Sequence, residues 1–477
     1  MKKNNALRRF CAGGLLLGIC AWMHLGFVAA AGPEQKELNL VKENVVTDGR
    51  VKNLIDCEDA SLWEGMVKAN TEIKRSGKIS FELYGAEKTE LMSSRMIPVD
   101  LKKTYVLSAY LRTLDEQFPA SAYFGLRMYD KNKKPITLAN VDVIYGTETT
   151  LSADAPKGTK ELWIIKTNNA NWLNVTNAAV AFNAKNNFQD LPNFNLSPQI
   201  ERVFNEGAMC RVVLKEQLTK AYPAGTAVRL HSPWGAPFYW VASGWIPSEW
   251  TKFSATISGE AQSKVPDDKF WRGTKYVRVF IWFANYDKIP QEGARLLADD
   301  ITFLCGEKDI MEQQALSAVF RNPKITQEYN KRWHFQIDMN DEGLSAGWMK
   351  TDFSDKGWPF LDADRWWQEQ GYPDYHGVAW YRKTFSPVRG VKGQKYFLYF
   401  GAVDGDASVF VNGRKIGEHT LLPDGQGWDK PFFFDCTDLL VSGKPNMIAV
   451  RVKKTVFMGG IFRGVKIIRA DEVIRGG

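Results

Sequence analysis

The chain has 477 residues, which is enough for two to four domains. Its content of 44% hydrophobic and 24% charged residues is that of a globular protein and excludes a largely disordered chain. The formal net charge is +8, but residues 1–31 contain four basic residues and no acidic residue. The remaining chain is therefore closer to neutral, which argues against a nucleic-acid-binding protein.

The first residues have the pattern of a targeting segment. Lys2, Lys3, Arg8 and Arg9 precede an apolar run that extends to Ala31 and ends in three alanines. This order of a basic start, an apolar run and small residues is typical of a signal peptide. We predict that residues 1–31 are a signal peptide cleaved near Ala31 and that the protein is exported to the periplasm, the cell surface or the medium. Retention of the run as a membrane anchor is the alternative.

Four cysteines lie outside this segment: Cys57, Cys210, Cys305 and Cys436. Cys57 and Cys305 stand at the two ends of one predicted sandwich, whose first and last strands often lie side by side. An exported protein permits a disulfide between them. Buried free thiols are the equal alternative.

The region 39–306 has the alternation of a β-sandwich. In the segment 105–112, Leu107, Ala109 and Leu111 fall on one face, and the segment 276–283 alternates in the same way. Residues 162–165 continue the pattern. An insertion near 166–240 is rich in Asn, Phe, Pro and Trp, and the sequence assigns it no structure. Residues 307–329 have a partly amphipathic pattern that predicts a helical linker.

The alternation also predicts an aromatic and basic surface on this first sandwich. If Val277, Val279 and Ile281 face the core, the residues between them face outward, and the same holds on a second strand. Such a face suits a binding groove, and its covering by the insertion is the alternative. The outward residues are Tyr276, Arg278, Phe280 and Trp282, with Tyr123, Arg127 and Tyr129.

The region 330–477 contains further short apolar runs separated by Gly, Asp and Pro, which is typical of strands. Residues Asn412-Gly413 follow one such run and suit a type I′ hairpin turn. The sequence therefore predicts an all-β protein, in which two β-sandwich (jelly-roll) domains are joined by a short helical linker.

The order of motifs in this second region resembles a known family. The strand Gly377-x-Ala379-Trp380-Tyr381-Arg382, the strand end Gly401-x-Val403-Asp404 and the hairpin Val411-Asn412-Gly413 are similar to the sugar-binding domain of glycoside hydrolase family 2. The resemblance covers about 330–475 and implies a galactose-binding-like jelly roll. More loosely, 53–305 resembles the carbohydrate-binding modules of families 4 and 9, through Asn53-Leu54-Ile55 and the pair Asp299-Asp300.

Sugar binding needs an aromatic ring beside hydrogen-bonding side chains. In the C-terminal region such residues lie on loops that a sandwich gathers at one end, and Gly459 and Gly460 are expected to let the backbone approach a ligand. The predicted carbohydrate-binding residues are Trp428, Asp404, Asp406, Arg463, Tyr375 and Trp366. Arg382 is expected in a buried ion pair, with Asp435 as the suggested partner, and Trp380 in the core.

The looser resemblance also implies a structural calcium ion. Asp300, next to Asp299, would supply oxygen ligands together with Asp56 and Glu58 near the first strand. No other cofactor is expected.

Catalytic motifs are not evident. Family 2 enzymes carry their catalytic Glu residues on a (β/α)8 barrel, for which two sandwiches leave no room in this chain. The one Asn-Glu pair, Asn205-Glu206, lies in the insertion. We therefore predict no catalytic residue and an exported, non-catalytic carbohydrate-binding protein, whose partners are a glycan or polysaccharide and a glycoside hydrolase that degrades it. The alternatives are a divergent glycoside hydrolase and a structural or adhesive surface protein.

Overall fold

The computed structural model describes residues 50–474 except 66, 85–88, 115–119, 167–170, 175–177, 233–237, 264–267, 285–293, 373–374, 387–392, 422–426 and 457. The predicted signal peptide lies outside these residues and stays a prediction. Among the described residues, no helix has the length and apolar character needed to cross a membrane.

The described residues up to 306 form nineteen strands, two short α-helices and a 3-10 turn at Ala60–Leu62. The strands are β1 (Lys52–Asn53), β2 (Trp63–Gly65), β3 (Val67–Asn70), β4 (Ser80–Tyr84), β5 (Glu90–Ser93), β6 (Ile97–Pro98), β7 (Thr104–Thr113), β8 (Ser121–Tyr129), β9 (Pro135–Ile136), β10 (Thr149–Thr150), β11 (Glu161–Ile165), β12 (Ala179–Phe182), β13 (Leu196–Glu206), β14 (Met209–Leu214), β15 (Ala227–His231), β16 (Tyr239–Trp245), β17 (Thr251–Ser258), β18 (Tyr276–Ala284) and β19 (Arg295–Gly306). The helices are α1 (Leu138–Val141) and α2 (Asn171–Asn174).

Two of the sheets built from these strands form the first sandwich. One has the order β17-β7-β19-β4-β3 with β1 beside β19, and the other has the order β16-β8-β18-β5-β2 with β6 and β9 at its side. The alternating residues Leu107, Phe124 and Val279 point between the sheets into one core and are fully buried. The period-two pattern of the sequence therefore identifies the core face correctly.

The insertion is a separate β unit with its own core. Its six strands follow the order β10-β15-β12-β13-β14-β11. Leu151 also bridges to Ile164, so the first and last strands meet and the sheet closes on itself. The strand at 161–165 belongs to this unit and not to the first sandwich. The inserted unit therefore begins before residue 166, the start predicted from the sequence. Alternation identifies a strand but not the sheet that it joins.

The register of β1 excludes a disulfide between Cys57 and Cys305. Lys52 pairs with Cys305, whereas Cys57 lies near Ile301, about four residues further along β19. Four residues of a strand span about 13 Å, well beyond the separation that a disulfide bridges. All four described cysteines are free thiols.

A helix and a second β region complete the chain. The helix is α3 (Lys308–Ser317). The strands are β20 (Phe320–Arg321), β21 (Lys324–Glu328), β22 (Trp333–Asp338), β23 (Phe360–Leu361), β24 (Gly377–Phe385), β25 (Lys395–Phe400), β26 (Val403–Asp404), β27 (Asp406–Val411), β28 (Arg414–His419), β29 (Phe432–Asp435), β30 (Asn446–Lys454), β31 (Gly460–Ile461), β32 (Val465–Ala470) and β33 (Glu472–Val473). The prediction of an all-β protein is confirmed.

The predicted linker is helical only in its first half. After α3, residues Phe320 and Arg321 pair with β33, and β21 pairs with β32. Phe320 is fully buried against Phe397 and Phe433. The segment 320–328 is therefore part of the second sandwich, because β21 joins one of its sheets and Phe320 belongs to a small apolar cluster on that sheet, separate from the main core.

The second sandwich has two main sheets, ordered β23-β22-β24-β30-β27-β28 and β21-β32-β25-β29. Strand β24 is buried on both faces. Ala379 and Tyr381 point into the sandwich core, whereas Trp380 points outward and is covered by Trp348 and Trp358. The prediction that Trp380 is a core residue is confirmed, since none of its surface is exposed.

The covering segment is held by Arg382. This buried guanidinium pairs with Asp355 at 2.9 Å and donates to the main-chain oxygens of Lys350 and Phe353, each at 3.1 Å. The suggested partner Asp435 was wrong; it lies 3.8 Å from Lys395. The turn between β27 and β28 is the predicted type I′ hairpin, with φ of 49° at Asn412 and 80° at Gly413.

Candidate functional site

The short ribbon formed by β26 and β31 organises the candidate site. Asp404 pairs with Gly460 across this ribbon, so the loop that ends in Arg463 lies beside the end of β26. Trp366 comes immediately before the 3-10 turn Trp367–Gln370, whose first N–H donates to the oxygen of Gly459 at 3.0 Å. Backbone pairing therefore brings three separate segments to one place.

Three aromatic rings form a stack at this point. Trp366 lies against Phe462 with ring centroids 4.9 Å apart and planes inclined by 16°. Trp428 lies 5.7 Å from the same ring, with planes inclined by 25°. Phe462 is buried, and both indoles are half-buried. The stack, defined by Trp366, Phe462 and Trp428, offers apolar ring surface of the kind that packs on the CH face of a pyranose.

A nearly buried ion pair lies beside the stack. The Nζ atom of Lys454 is 2.5 Å from Oδ1 of Asp404, and the two side chains are 12% and 8% exposed. Burial raises the pKa of the Asp404 carboxyl above its usual value, and the ammonium of Lys454 opposes that shift. The indole N–H of Trp366 also favours the charged carboxylate, although no hydrogen bond of normal geometry joins them.

The guanidinium of Arg463 also lies near Phe462. Its guanidinium carbon is 5.2 Å from the centroid of that ring, and one terminal nitrogen donates to the main-chain oxygen of Asp429 at 2.8 Å. The Nε atom is buried and has no hydrogen-bond partner among the described residues. The site therefore combines ring surface, a carboxylate, an ammonium and a guanidinium.

Comparison with known proteins identifies this part of the chain. Residues 343–456 match the family model described as the beta-galactosidase second all-beta domain. A beta-galactosidase of Bacteroides ovatus is 29% identical over 177 residues, which is 33% of this chain and 19% of that protein. A beta-glucuronidase of Bacteroides fragilis is 32% identical over 160 residues, which is 30% of this chain and 20% of that protein. The C-terminal sandwich is a glycoside hydrolase family 2 domain.

The matches to these relatives cover about a third of this chain. The chain spans about a fifth of the length of the two relatives. A solved beta-glucuronidase of Bacteroides uniformis is 25% identical and covers 31% of this chain and 18% of its own, with a TM-score of 0.27. The family assignment applies to the C-terminal sandwich, which contains the matched residues 343–456, and the protein is related to glycoside hydrolases through that domain.

Within the family 2 domain, two of the predicted sugar-binding residues lie apart from the stack. Asp406 is exposed and accepts the N–H of Leu421 at 2.9 Å. It lies apart from Asp404 because Gly405, with φ of 138°, breaks the strand between them. Tyr375 donates its hydroxyl to the oxygen of Val378 at 2.5 Å and packs on the core edge.

The structure adds two residues that the sequence did not indicate. Phe462 joins the two tryptophans, and Lys454 pairs with Asp404. Lys454 is the second of two adjacent lysines at the end of an alternating strand, so no sequence signal distinguishes it. Gly459 and Gly460 allow close packing of core side chains. A Cβ at Gly459 would overlap Trp367, and a Cβ at Gly460 would overlap the hydroxyl of Tyr381.

The acidic residues predicted to bind calcium have separate protein partners in the structure. Asp300 pairs with Arg75, and Asp56 accepts the N–H of Glu58 at 2.8 Å. The one group of three metal-ligand side chains found among the described residues is Cys57, Glu58 and Asp299, with ligand atoms within 4.8 Å of one another.

This group does not suit calcium. The Asp299 carboxylate accepts three main-chain N–H groups, and Glu58 accepts two. Burial raises the pKa of the Cys57 thiol to about 12, which keeps it protonated. Calcium needs several oxygen ligands, and here one ligand is a thiol and the carboxylates are already engaged.

Proposed function

We propose that the family 2 domain binds a glycan at the stack and that the chain serves glycoside hydrolysis by recognising the substrate. The observation that supports this most directly is the Trp366–Phe462–Trp428 stack with the Asp404–Lys454 pair at its side. An aromatic surface binds the apolar face of a sugar, and charged groups at its edge bind the hydroxyls. The family's sugar-binding role supports the same assignment.

The charges of the site include one unbalanced positive charge. Asp404 is paired with Lys454, whereas Asp429 accepts from Arg463 through its main-chain oxygen and has its carboxylate 3.6 Å from Lys430. The two carboxylates and the three basic side chains therefore carry a net charge of +1. We therefore expect a uronate to bind at least as tightly as a galactose-type or other neutral ring.

The test is Trp428→Ala, measured by calorimetry and by retardation in gels that contain galactan or polygalacturonate. Loss of a stacking ring is expected to weaken binding by about 5- to 150-fold. Phe360→Ala is the matched control, because this aromatic residue of the same sandwich is 47% exposed but lies outside the stack. Normal binding by Trp428→Ala, or equal losses in the two variants, would refute the assignment. Binding to matrix proteins without binding to any glycan would instead support an adhesive role.

Hydrolysis is the second candidate function, and the names of the relatives favour it. Asp404 is the residue to examine, since burial raises the pKa of its carboxyl, as in general acids of glycosidases. Glu206 is a weaker candidate, because it is exposed on β13 and lies 3.4 Å from Arg211. Turnover of aryl β-galactosides or β-glucuronides that is lost in Asp404→Asn, with KM unchanged, would establish an enzyme.

Export remains part of the proposal. It is supported by the basic start and the alanine-rich end of the first apolar run. Mass analysis of the protein secreted by its host should find an N-terminus near Gly32. Recovery of a chain that begins at Met1 would contradict cleavage.

A further inference from the structure

The outer face of the sheet β16-β8-β18-β5-β2 carries a second aromatic surface. The register places Trp240 and Phe280 on opposite sides of Gly125 and places Tyr123 beside Trp282. Their neighbours along the strands, such as Phe124 and Ile281, point into the core. The surface, called the aromatic face below, consists of Tyr123, Phe238, Trp240, Phe280 and Trp282.

The rings of the aromatic face hold one another in place. Tyr123 and Trp282 are stacked at 5.6 Å with planes inclined by 18°. Phe238 lies within 4.5 Å of Phe280 and 5.8 Å of Trp282, measured between centroids, and is 1% exposed. Trp240 remains 38% exposed. The aromatic face therefore consists of buried or half-buried rings packed on one another and one indole, that of Trp240, which is exposed to solvent.

Gly125 makes this packing possible. A Cβ at this position would overlap the main-chain oxygen of Tyr239 on the adjacent strand. The absence of a side chain also leaves the space between Trp240 and Phe280 that Phe238 fills. The position of Trp240 is therefore fixed by the backbone and by a buried ring.

Charged groups border the aromatic face. One terminal nitrogen of Arg127 is 2.7 Å from a carboxylate oxygen of Glu90, and the two side chains are 32% and 26% exposed. The guanidinium lies 5.7 Å from the ring of Phe280. Its Nε atom is buried without a hydrogen-bond partner among the described residues. Because both side chains are partly exposed, the terminal N–H groups of Arg127 and the second carboxylate oxygen of Glu90 are the groups that a ligand can reach, whereas the buried Nε is not.

We propose that the aromatic face is a second glycan-binding surface, which takes the pyranose rings of a polysaccharide chain. Trp240 supplies the stacking ring, and the Arg127–Glu90 pair supplies a donor and an acceptor for hydroxyls. Arg127 is two residues beyond Gly125 on β8, a separation of about 7 Å. One or two sugar rings span that distance.

The chemistry of the face favours a sugar over an apolar partner. A lipid or a hydrophobic helix would cover Arg127 and Glu90, and the desolvation of that pair would oppose binding. A pyranose has an apolar face and a hydroxyl edge, so it satisfies both parts at once. With two such surfaces, one chain can hold a polysaccharide at two points and gain avidity.

The test uses the full chain with Trp428→Ala as the background, so that the stack in the family 2 domain does not contribute. Retardation is measured in gels containing mixed-linkage β-glucan, xylan, galactan or polygalacturonate. We expect at least one polysaccharide to retard this protein. Adding Trp240→Ala or Arg127→Met should weaken that interaction by about tenfold or more.

Trp245→Ala is the matched control, because Trp245 lies on the same strand, is 40% exposed and makes no ring contact with the described residues. It should bind as the background does, and all variants should melt within a few degrees of one another. The proposal is overturned if no polysaccharide retards the background, or if Trp240→Ala and Trp245→Ala behave alike. Neither result bears on the stack, because the stack is tested by comparing the unchanged protein with Trp428→Ala.

Discussion

Replacing Lys454 by methionine isolates the electrostatics of the candidate site. The side chains of Lys454 and Asp404 are 12% and 8% exposed and lie 2.5 Å apart, so the substitution leaves a carboxylate that water reaches poorly. Breaking a buried pair by removing one partner costs about 3–5 kcal/mol. The expected loss in the free energy of unfolding is therefore about 3–5 kcal/mol at pH 7.

The loss should depend on pH with a definite sign. Burial already raises the pKa of Asp404 in the folded protein, and removal of Lys454 raises it further. A folded-state pKa above the unfolded value of about 3.9 means that the folded protein holds the proton more tightly. The loss in the free energy of unfolding caused by Lys454→Met should thus be smallest near pH 4. It should grow as the pH rises through the folded-state pKa of Asp404.

Urea denaturation at several pH values between 4 and 8 measures this deficit. Lys415→Met is the control, because Lys415 and Glu418 form a pair in which both side chains are about half exposed, and its loss should cost at most about 1 kcal/mol. The double variant Lys454→Met/Asp404→Leu should recover most of the stability. Equal losses in Lys454→Met and Lys415→Met, or a deficit that shrinks as the pH rises, would refute this account of the site.

Further substitutions test the packing of the C-terminal sandwich and of the inserted β unit. Trp380→Ala empties a fully buried position and should lower the free energy of unfolding by about 3–5 kcal/mol in urea. His231→Phe removes the acceptor of the Arg229 Nε–H at 3.0 Å and should cost about 1–3 kcal/mol. Gly459→Ala forces a methyl group against Trp367 and should lower the melting temperature by several degrees, since overpacking costs about 1–3 kcal/mol.

The buried imidazole of His231 should also make the free energy of unfolding depend on pH in the acid range. Burial lowers its pKa to about 4, so the unfolded chain binds a proton at higher pH than the folded chain does. Stability from this group is complete above about pH 6.5 and is lost as the pH falls toward 4. His231→Phe should remove this part of the pH dependence in urea titrations, whereas Phe182→Leu, which destabilises the same β unit without removing a titrating group, should not. Identical pH profiles for the two variants would contradict it.

Local patterns were enough to predict the strands and their buried faces. Leu107, Phe124 and Val279 belong to sets of apolar residues that recur at every second position of their strands, and all three lie in the core of the first sandwich. The positive φ angles at Asn412 and Gly413 follow from the residue types alone. These features depend on neighbours along the chain, which the sequence shows directly.

Contacts between distant segments could not be predicted in the same way. The partner of Arg382 is Asp355, on a covering segment, and nothing in the sequence separates this aspartate from Asp435. In the candidate site, the sequence indicated Trp366 and Trp428, but the ring that joins them belongs to a third segment. Which side chains meet there depends on the pairing of β26 with β31, a register that alternation does not reveal.

The inserted β unit enters and leaves the first sandwich at a single point. Val143 bridges to His231, and the N–H of Ser232 donates to the oxygen of Asp142 at 2.9 Å. Because its own core lies between 151 and 230, the unit is a cassette whose two ends already touch. A short turn in its place would leave both sheets of the host sandwich continuous, and the contacts of Asn193 with Asn140 and of Phe194 with the host core would have to be replaced in an exchanged segment.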